Sequence, residues 1–177
     1  IEVACSALGI ACEPGIDASW RASELVVNGV TGLQLASGSL RETLAQRLAP
    51  DQRRRLDLAL ADAIVRHDKT SGRADLGLAG ALLCALGQPA RAAPLLVSAG
   101  RRALASRAWV RAARLFREAL ATGALSASES QAVQLERGRA LSSASLPGPA
   151  ADAFRAALHG PDTHLARDAR RRAAQAL

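Results

Sequence analysis

The one stretch in which a lysine precedes a hydroxyl residue is His67-Asp68-Lys69-Thr70-Ser71-Gly72. A phosphate-cradling loop would also need clustered glycines ahead of that lysine, so that backbone N–H groups could close around the phosphate. No glycine precedes Lys69 there, and the stretch reads as a polar loop. Metal binding would need convergent His, Cys or carboxylate ligands. Cys5 and Cys12 stand seven residues apart, and His159 and His164 flank the helix break Gly160-Pro161. Neither pair has two further ligands at a suitable spacing, so they read as core thiols and surface imidazoles. Nucleophilic catalysis would need a Ser or Cys with a His base and an orienting acid. The serines instead fall in caps such as Ser126-Ala127-Ser128-Glu129, where Ser128, Glu129 and Gln131 read as the start of a helix, and there is no Gly-x-Ser-x-Gly elbow. The expectation is a segment with no catalytic, cofactor-binding or metal site, and hence not an enzyme.

Charge is the next feature able to do work. The net charge is +7, and every cation except Lys69 is arginine. Such a balance could attract nucleic acid, anionic lipid or an acidic protein. The arginines are mixed with Asp and Glu, and the denser knots are Arg53-Arg54-Arg55, Arg101-Arg102 and Arg170-Arg171-Arg172. With only Trp20, Trp109, Phe116 and Phe154 as aromatics, no platform for stacking single strands exists. The arginines therefore read as solvated helix faces, with no specific nucleic acid expected. Apolar runs are short or interrupted, as by Asp57 and Asp62 between Leu56 and Val65, so no membrane partner is expected either. Cys5, Cys12 and Cys84 are an odd set without a framework spacing, which predicts buried, reduced thiols and a cytoplasmic setting. A chain that opens on Ile1 and lacks Met reads as a piece of a larger protein.

The elements that would position these residues are helices. The apolar 49% is mostly Ala and Leu, a helix-former's composition in which close Ala packing replaces bulky sheet contacts. Residues 1–46 read differently from the rest. Ile1 to Gly9 and Asp17 to Leu25 predict short helices, Val26-Val27-Asn28-Gly29 offers a hairpin turn, and Leu33-Gln34-Leu35 alternates as a half-buried strand does. Two helices and a β-hairpin suggest a winged-helix-like unit. Ser39 with Glu42 forms a capping box ahead of Leu40, Leu44 and Leu48, and Leu56, Leu60, Ala63 and Ile64 give a further amphipathic stripe. Residues 47–72 thus predict a linking helix and a loop, the loop at Asp68 to Arg73.

Residues 73–177 carry an internal repeat. Ala112-Ala113-Arg114-Leu115-Phe116-Arg117-Glu118-Ala119-Leu120 recurs as Ala150-Ala151-Asp152-Ala153-Phe154-Arg155-Ala156-Ala157-Leu158, six of nine identical at a spacing of 38. A period in this range predicts stacked helix pairs. Small residues let two helices approach, and the Phe four residues later fills the space where the next pair docks. Leu96, Ala99, Gly100 and Ala103 precede the first copy, and Gly138 and Leu141 the second. Leu76, Gly80 and Leu83, the turn Gly87-Gln88-Pro89, and Ala92 with Leu96 suggest an earlier pair.

These offsets resemble the tetratricopeptide repeat (TPR) family. The resemblance places Ala112, Phe116 and Ala119, then Ala150, Phe154, Ala157 and Pro161, at second-helix positions. Ala103 and Gln134 depart from the family's bulkier and apolar residues. What the resemblance implies is an all-α, TPR-like helix-pair superhelix after the winged-helix-like unit. The inner face of such repeats receives ligands, and Arg101 and Arg139, 38 apart and each following a small packing residue, would take equivalent places on successive inner helices to grip an acidic partner.

The order of landmarks (winged-helix-like unit, Ser39-Leu40-Arg41-Glu42, the Arg-rich helix Asp51 to Arg66, then Ala-rich repeats) resembles the region downstream of the nucleotide-binding domain in large bacterial signalling ATPases. Those are often fused to a Ser/Thr protein kinase, an adenylate cyclase or a LuxR-type domain. The resemblance implies a non-catalytic protein–protein interaction scaffold or sensor, its partner another protein or another domain of its own chain. The alternatives are a DNA-binding regulator segment and the non-catalytic part of a kinase with an ATPase domain. Between Asp17 and Leu35, Arg21 is the only cation, too little to neutralise several phosphates.

Overall fold

The computed structural model describes residues 26–29, 32–35 and 47–175. The chain divides into two compact units, Ile1–Ala63 and Ile64–Leu177. In the first, β1 (Val26–Gly29) pairs antiparallel with β2 (Gly32–Leu35), from Val26 opposite Leu35 to Gly29 opposite Gly32. The hairpin is therefore present, but its reversal comes after Gly29 rather than at Val26 to Gly29. The β-branched pair Val26-Val27 favours extended backbone, and the ladder carries on through Asn28-Gly29. The helices expected at Ile1 to Gly9 and Asp17 to Leu25, and the capping box Ser39 to Glu42, lie outside the described residues.

From Pro50 onward every described element is a helix, and the fold class is all-α. These are α1 (Pro50–Ser71), α2 (Leu76–Ala85), α3 (Pro89–Ala105), α4 (Trp109–Ala121), α5 (Ala127–Ser143), α6 (Pro147–Ala157) and α7 (Thr163–Gln175). The loop expected at Asp68 to Arg73 is shorter than its polarity suggests. Thr70 and Ser71 donate their hydroxyls to the His67 carbonyl, so these polar residues satisfy the last turn of α1 instead of leaving it. Lys69-Thr70 consequently lies on a helix.

Three of the helix-to-helix turns are built alike. The N–H groups of Gly87, Arg107 and Ser145 bond to the carbonyls of Cys84, Leu104 and Ser142. Those of Gln88, Ala108 and Leu146 reach back to Leu83, Ala103 and Leu141 at 2.8–3.0 Å. The central residue of each is left-handed, with φ of 71°, 60° and 59°. This Schellman closure suits glycine, and Arg107 and Ser145 accept it at a cost of about 1 kcal/mol each. The two non-glycine exceptions are themselves 38 residues apart, so the repeat extends into the turns.

Consecutive helices from α2 to α7 pack in order, and one continuous core runs through them. All of Leu96, Ala99, Gly100, Ala112, Phe116, Ala119, Gly138, Leu141, Ala150, Phe154 and Ala157 are buried. A Cβ on Gly100 would lie 2.6 Å from the Phe116 ring, and one on Gly138 would strike the Phe154 ring in the same way. Each glycine on α3 or α5 is thus the seat of an aromatic on the following helix. Gly80 of α2 receives Leu96 likewise. Leu96 therefore packs back on α2 while Gly100, one turn later, receives α4, and α3 is shared by two helix hairpins. That sharing is why the sequence alone leaves the opening helix of a repeat ambiguous.

Candidate partner-binding face

Within the unit Ile64–Leu177, α3, α5 and α7 alternate with α4 and α6, and the last turns of α1 precede them. Arginines tie these alternate helices together. Arg102 of α3 grips both oxygens of Asp68 on α1, Nη1 at 2.6 Å and Nη2 at 2.7 Å. Its neighbour Arg101 reaches the other way, donating from Nε at 3.1 Å and Nη2 at 2.9 Å to Glu136 on α5. Arg139 of α5 then donates from Nη2 to Oδ2 of Asp168 on α7 at 2.8 Å, and Arg172 donates from Nε to the same oxygen at 3.0 Å. The forked guanidiniums of Arg101 and Arg102 match their carboxylates in a fixed orientation, so these two pairs set register as well as contributing attraction, whereas Arg139 holds Asp168 through one nitrogen.

The carboxylates are the better buried partners. Glu136 and Asp168 are 21% exposed, against 57% for Arg101 and 45% for Arg139. The Arg102 guanidinium beside Asp68, and the Arg139 guanidinium beside Asp168, hold those carboxyls below the usual Asp value of 3.8. Because the native state lowers these values, the unfolded chain binds more protons at acid pH. The stability they supply is present above 3.8 and is lost as pH falls through the lower native values. Urea midpoints should hold from pH 7 to pH 5 and decline below about pH 4, with a shallower decline in the Asp68→Asn, Asp168→Asn double variant. Equal slopes in the two proteins would remove these pairs from the acid response.

The structure therefore places Arg101 and Arg139 equivalently, exposed and directed away from the glycines that precede them. Neither is a free guanidinium, because each already holds a carboxylate of the next alternate helix. Sequence reading missed those acids, although Glu136-x-x-Arg139 and Asp168-x-x-Arg171 share a spacing that could have pointed to them. Beside Arg101 a groove of about 350 Å³ runs between α3 and α5, lined by Pro94, Val97, Ser98, Leu125 and Val133. Its lining mixes these apolar side chains with the polar Ser98, Arg101 and Glu129. Ser126 caps α5, and Glu129, which also lines the groove, closes the box on the Ser126 N–H at 2.9 Å.

Other candidates separate cleanly. His159 and His164 are both exposed, and among the described residues no group of His, Cys, Asp or Glu could hold a metal ion. Cys84 corrects the expectation of buried thiols. It is an exposed free cysteine, because the inward face of α2 is taken by Leu76, Ala79, Gly80 and Leu83 and the next position points out. Cys5 and Cys12 lie outside the described residues. No described helix is long and apolar enough to cross a membrane. No protein-family model, curated protein or solved structure matches the chain.

Proposed function

We propose that this chain is a non-catalytic protein–protein interaction scaffold, a TPR-like helix-pair array that belongs to a multidomain bacterial signalling regulator. The observation that carries the reading is the equivalence of successive helix pairs: the same glycine-aromatic seat, the same left-handed turn and the same outward arginine recur at a spacing of 38. Repetition of this kind produces an extended face on which several weak contacts can add along one bound segment. On this reading the partner is an acidic segment of another protein, or of another domain of the same chain, lying across α3 and α5. Arg101 and Arg139 contact it, and Glu136 and Asp168 hold the two guanidiniums in place until it binds.

That arrangement gives a test with two opposite signs. In a titration with an extended peptide carrying Asp or Glu residues, Arg101→Gln with Arg139→Gln should weaken binding about tenfold, since truncating charged contacts commonly costs this much. Glu136→Gln should strengthen it, because the intramolecular competitor for Arg101 is removed. Unchanged binding in both variants, with the helical fold retained, would defeat the reading.

A further inference from the structure

The helix α7 differs from α3 and α5 in what its outward face carries. Those two helices bury residues on more than one side, seven in α3 and six in α5, whereas α7 buries only Ala169. Its outward side chains, His164, Arg167, Arg170, Arg171 and Ala174, line a shallow hollow of about 650 Å³. They fall at offsets of three, six, seven and ten residues, one stripe of a helix. The one carboxylate of α7, Asp168, is turned toward Arg139 and Arg172 and reaches this stripe only through Arg171 at 3.4 Å. Arg167 and Arg170 have no ion-pair partner among the described residues.

The surrounding field has the same sign. In residues 64–177 seventeen Lys or Arg stand against eight Asp or Glu, a net +9. At the position of Gly100 and Gly138, eleven residues from the helix start, α7 carries the small Ala174, but the rest of its exposed stripe is His164 and three guanidiniums, and an apolar helix docking there would strand those charges without partners. We propose that the α7 stripe is a second docking surface, independent of the groove beside Arg101, and that its occupant is an acidic helix carrying carboxylates along one face. Arginine suits such a partner: its fork takes carboxylates in a defined plane, and three forks within little more than one helical turn match Glu residues at offsets of three and four. Nucleic acid is the weaker fit, because one short stripe without aromatic side chains provides counterion release and little else.

The test titrates the chain with a short synthetic helix bearing Glu on one face, and in parallel with a short DNA duplex. Arg167→Glu, Arg170→Glu, Arg171→Glu should weaken peptide binding about tenfold or more. Arg73→Glu, Arg107→Glu, Arg117→Glu changes the net charge equally at exposed positions elsewhere and should leave binding within about twofold. Circular dichroism verifies that both variants remain helical, as expected for exposed sites. Equal losses in the two variants would show bulk charge rather than a site and overturn the proposal. So would binding of the duplex more tightly than the peptide through α7. Loss in Arg101→Gln, Arg139→Gln with none in the α7 variant would overturn it too, and would leave the groove as the sole docking face.

Discussion

Phe116→Ala and Phe154→Ala should each lower the stability of the helical unit by about 3 to 5 kcal/mol, the range for removing a fully buried aromatic. Phe116 is 0% exposed and Phe154 1% exposed. The size of the loss follows from the seats. Each ring lies on a glycine, Gly100 or Gly138, and the neighbouring buried residues are mostly alanines that have no longer rotamer with which to fill the vacated space. The cavity would therefore stay open, which places the cost toward the upper part of the range. Equivalent seats also imply equivalent losses, and urea melts of the two variants should agree within about 1 kcal/mol. Losses below about 1 kcal/mol at both sites would mean that the rings do not anchor the helix pairs.

The second large effect is expected at Gln131, a residue that the sequence presents as ordinary helix. It is 3% exposed. Its Nε2 donates to the carbonyls of Ala157 at 3.0 Å and Asp162 at 2.8 Å, and its Oε1 accepts from the Asp162 N–H at 2.8 Å. One amide from α5 thus ties down the connection between α6 and α7. Asp162, held in this way, caps α7 by accepting from the N–H groups of His164 and Leu165 at 2.7 and 3.1 Å. Gln131→Leu keeps the volume and removes all three bonds. It should cost about 1 to 3 kcal/mol, because the carbonyl of buried Ala157 is left unpaired and the partly buried Asp162 backbone loses its anchor. Proteolysis should then open the connection at His159 to Asp162 before the rest of the unit. A variant as stable as the parent, with that connection still protected, would contradict the role given to this amide.

The contrast between these two sites marks what the sequence could tell. Phe116 and Phe154 were legible because a repeat copies itself: identical residues at a constant spacing announce equivalent packing without any knowledge of the fold. Gly100 and Gly138 were legible as small packing residues, but not as seats: the rings were expected where the next pair docks, and each lies instead on the glycine of the helix before it. Gln131 has no counterpart at the spacing of 38, where Ala93 stands, and its partners come from 26 and 31 residues further on, so no local pattern could announce it. Arg101 and Arg139 were found by repetition, but their carboxylates were not, because Glu136 and Asp168 are 32 residues apart rather than 38. Cys84 failed for a different reason. Its burial was inferred from residue type, and on a ten-residue helix one position decides between core and solvent.

The most direct measurement of the central claim, that alternate helices form one partner-binding face, is residue-resolved NMR during titration with an acidic peptide. The expected result is a set of shift changes along α3 and α5, at Ser98, Arg101, Glu136 and Arg139, with the Arg101 and Glu136 side-chain signals moving together as their pair is exchanged for the ligand. Changes on the α7 stripe would accompany a helical acidic peptide. Shift changes confined to the outward positions of α4 and α6, such as Arg114, Arg117 and Arg155, or no changes at all at saturating peptide, would contradict it.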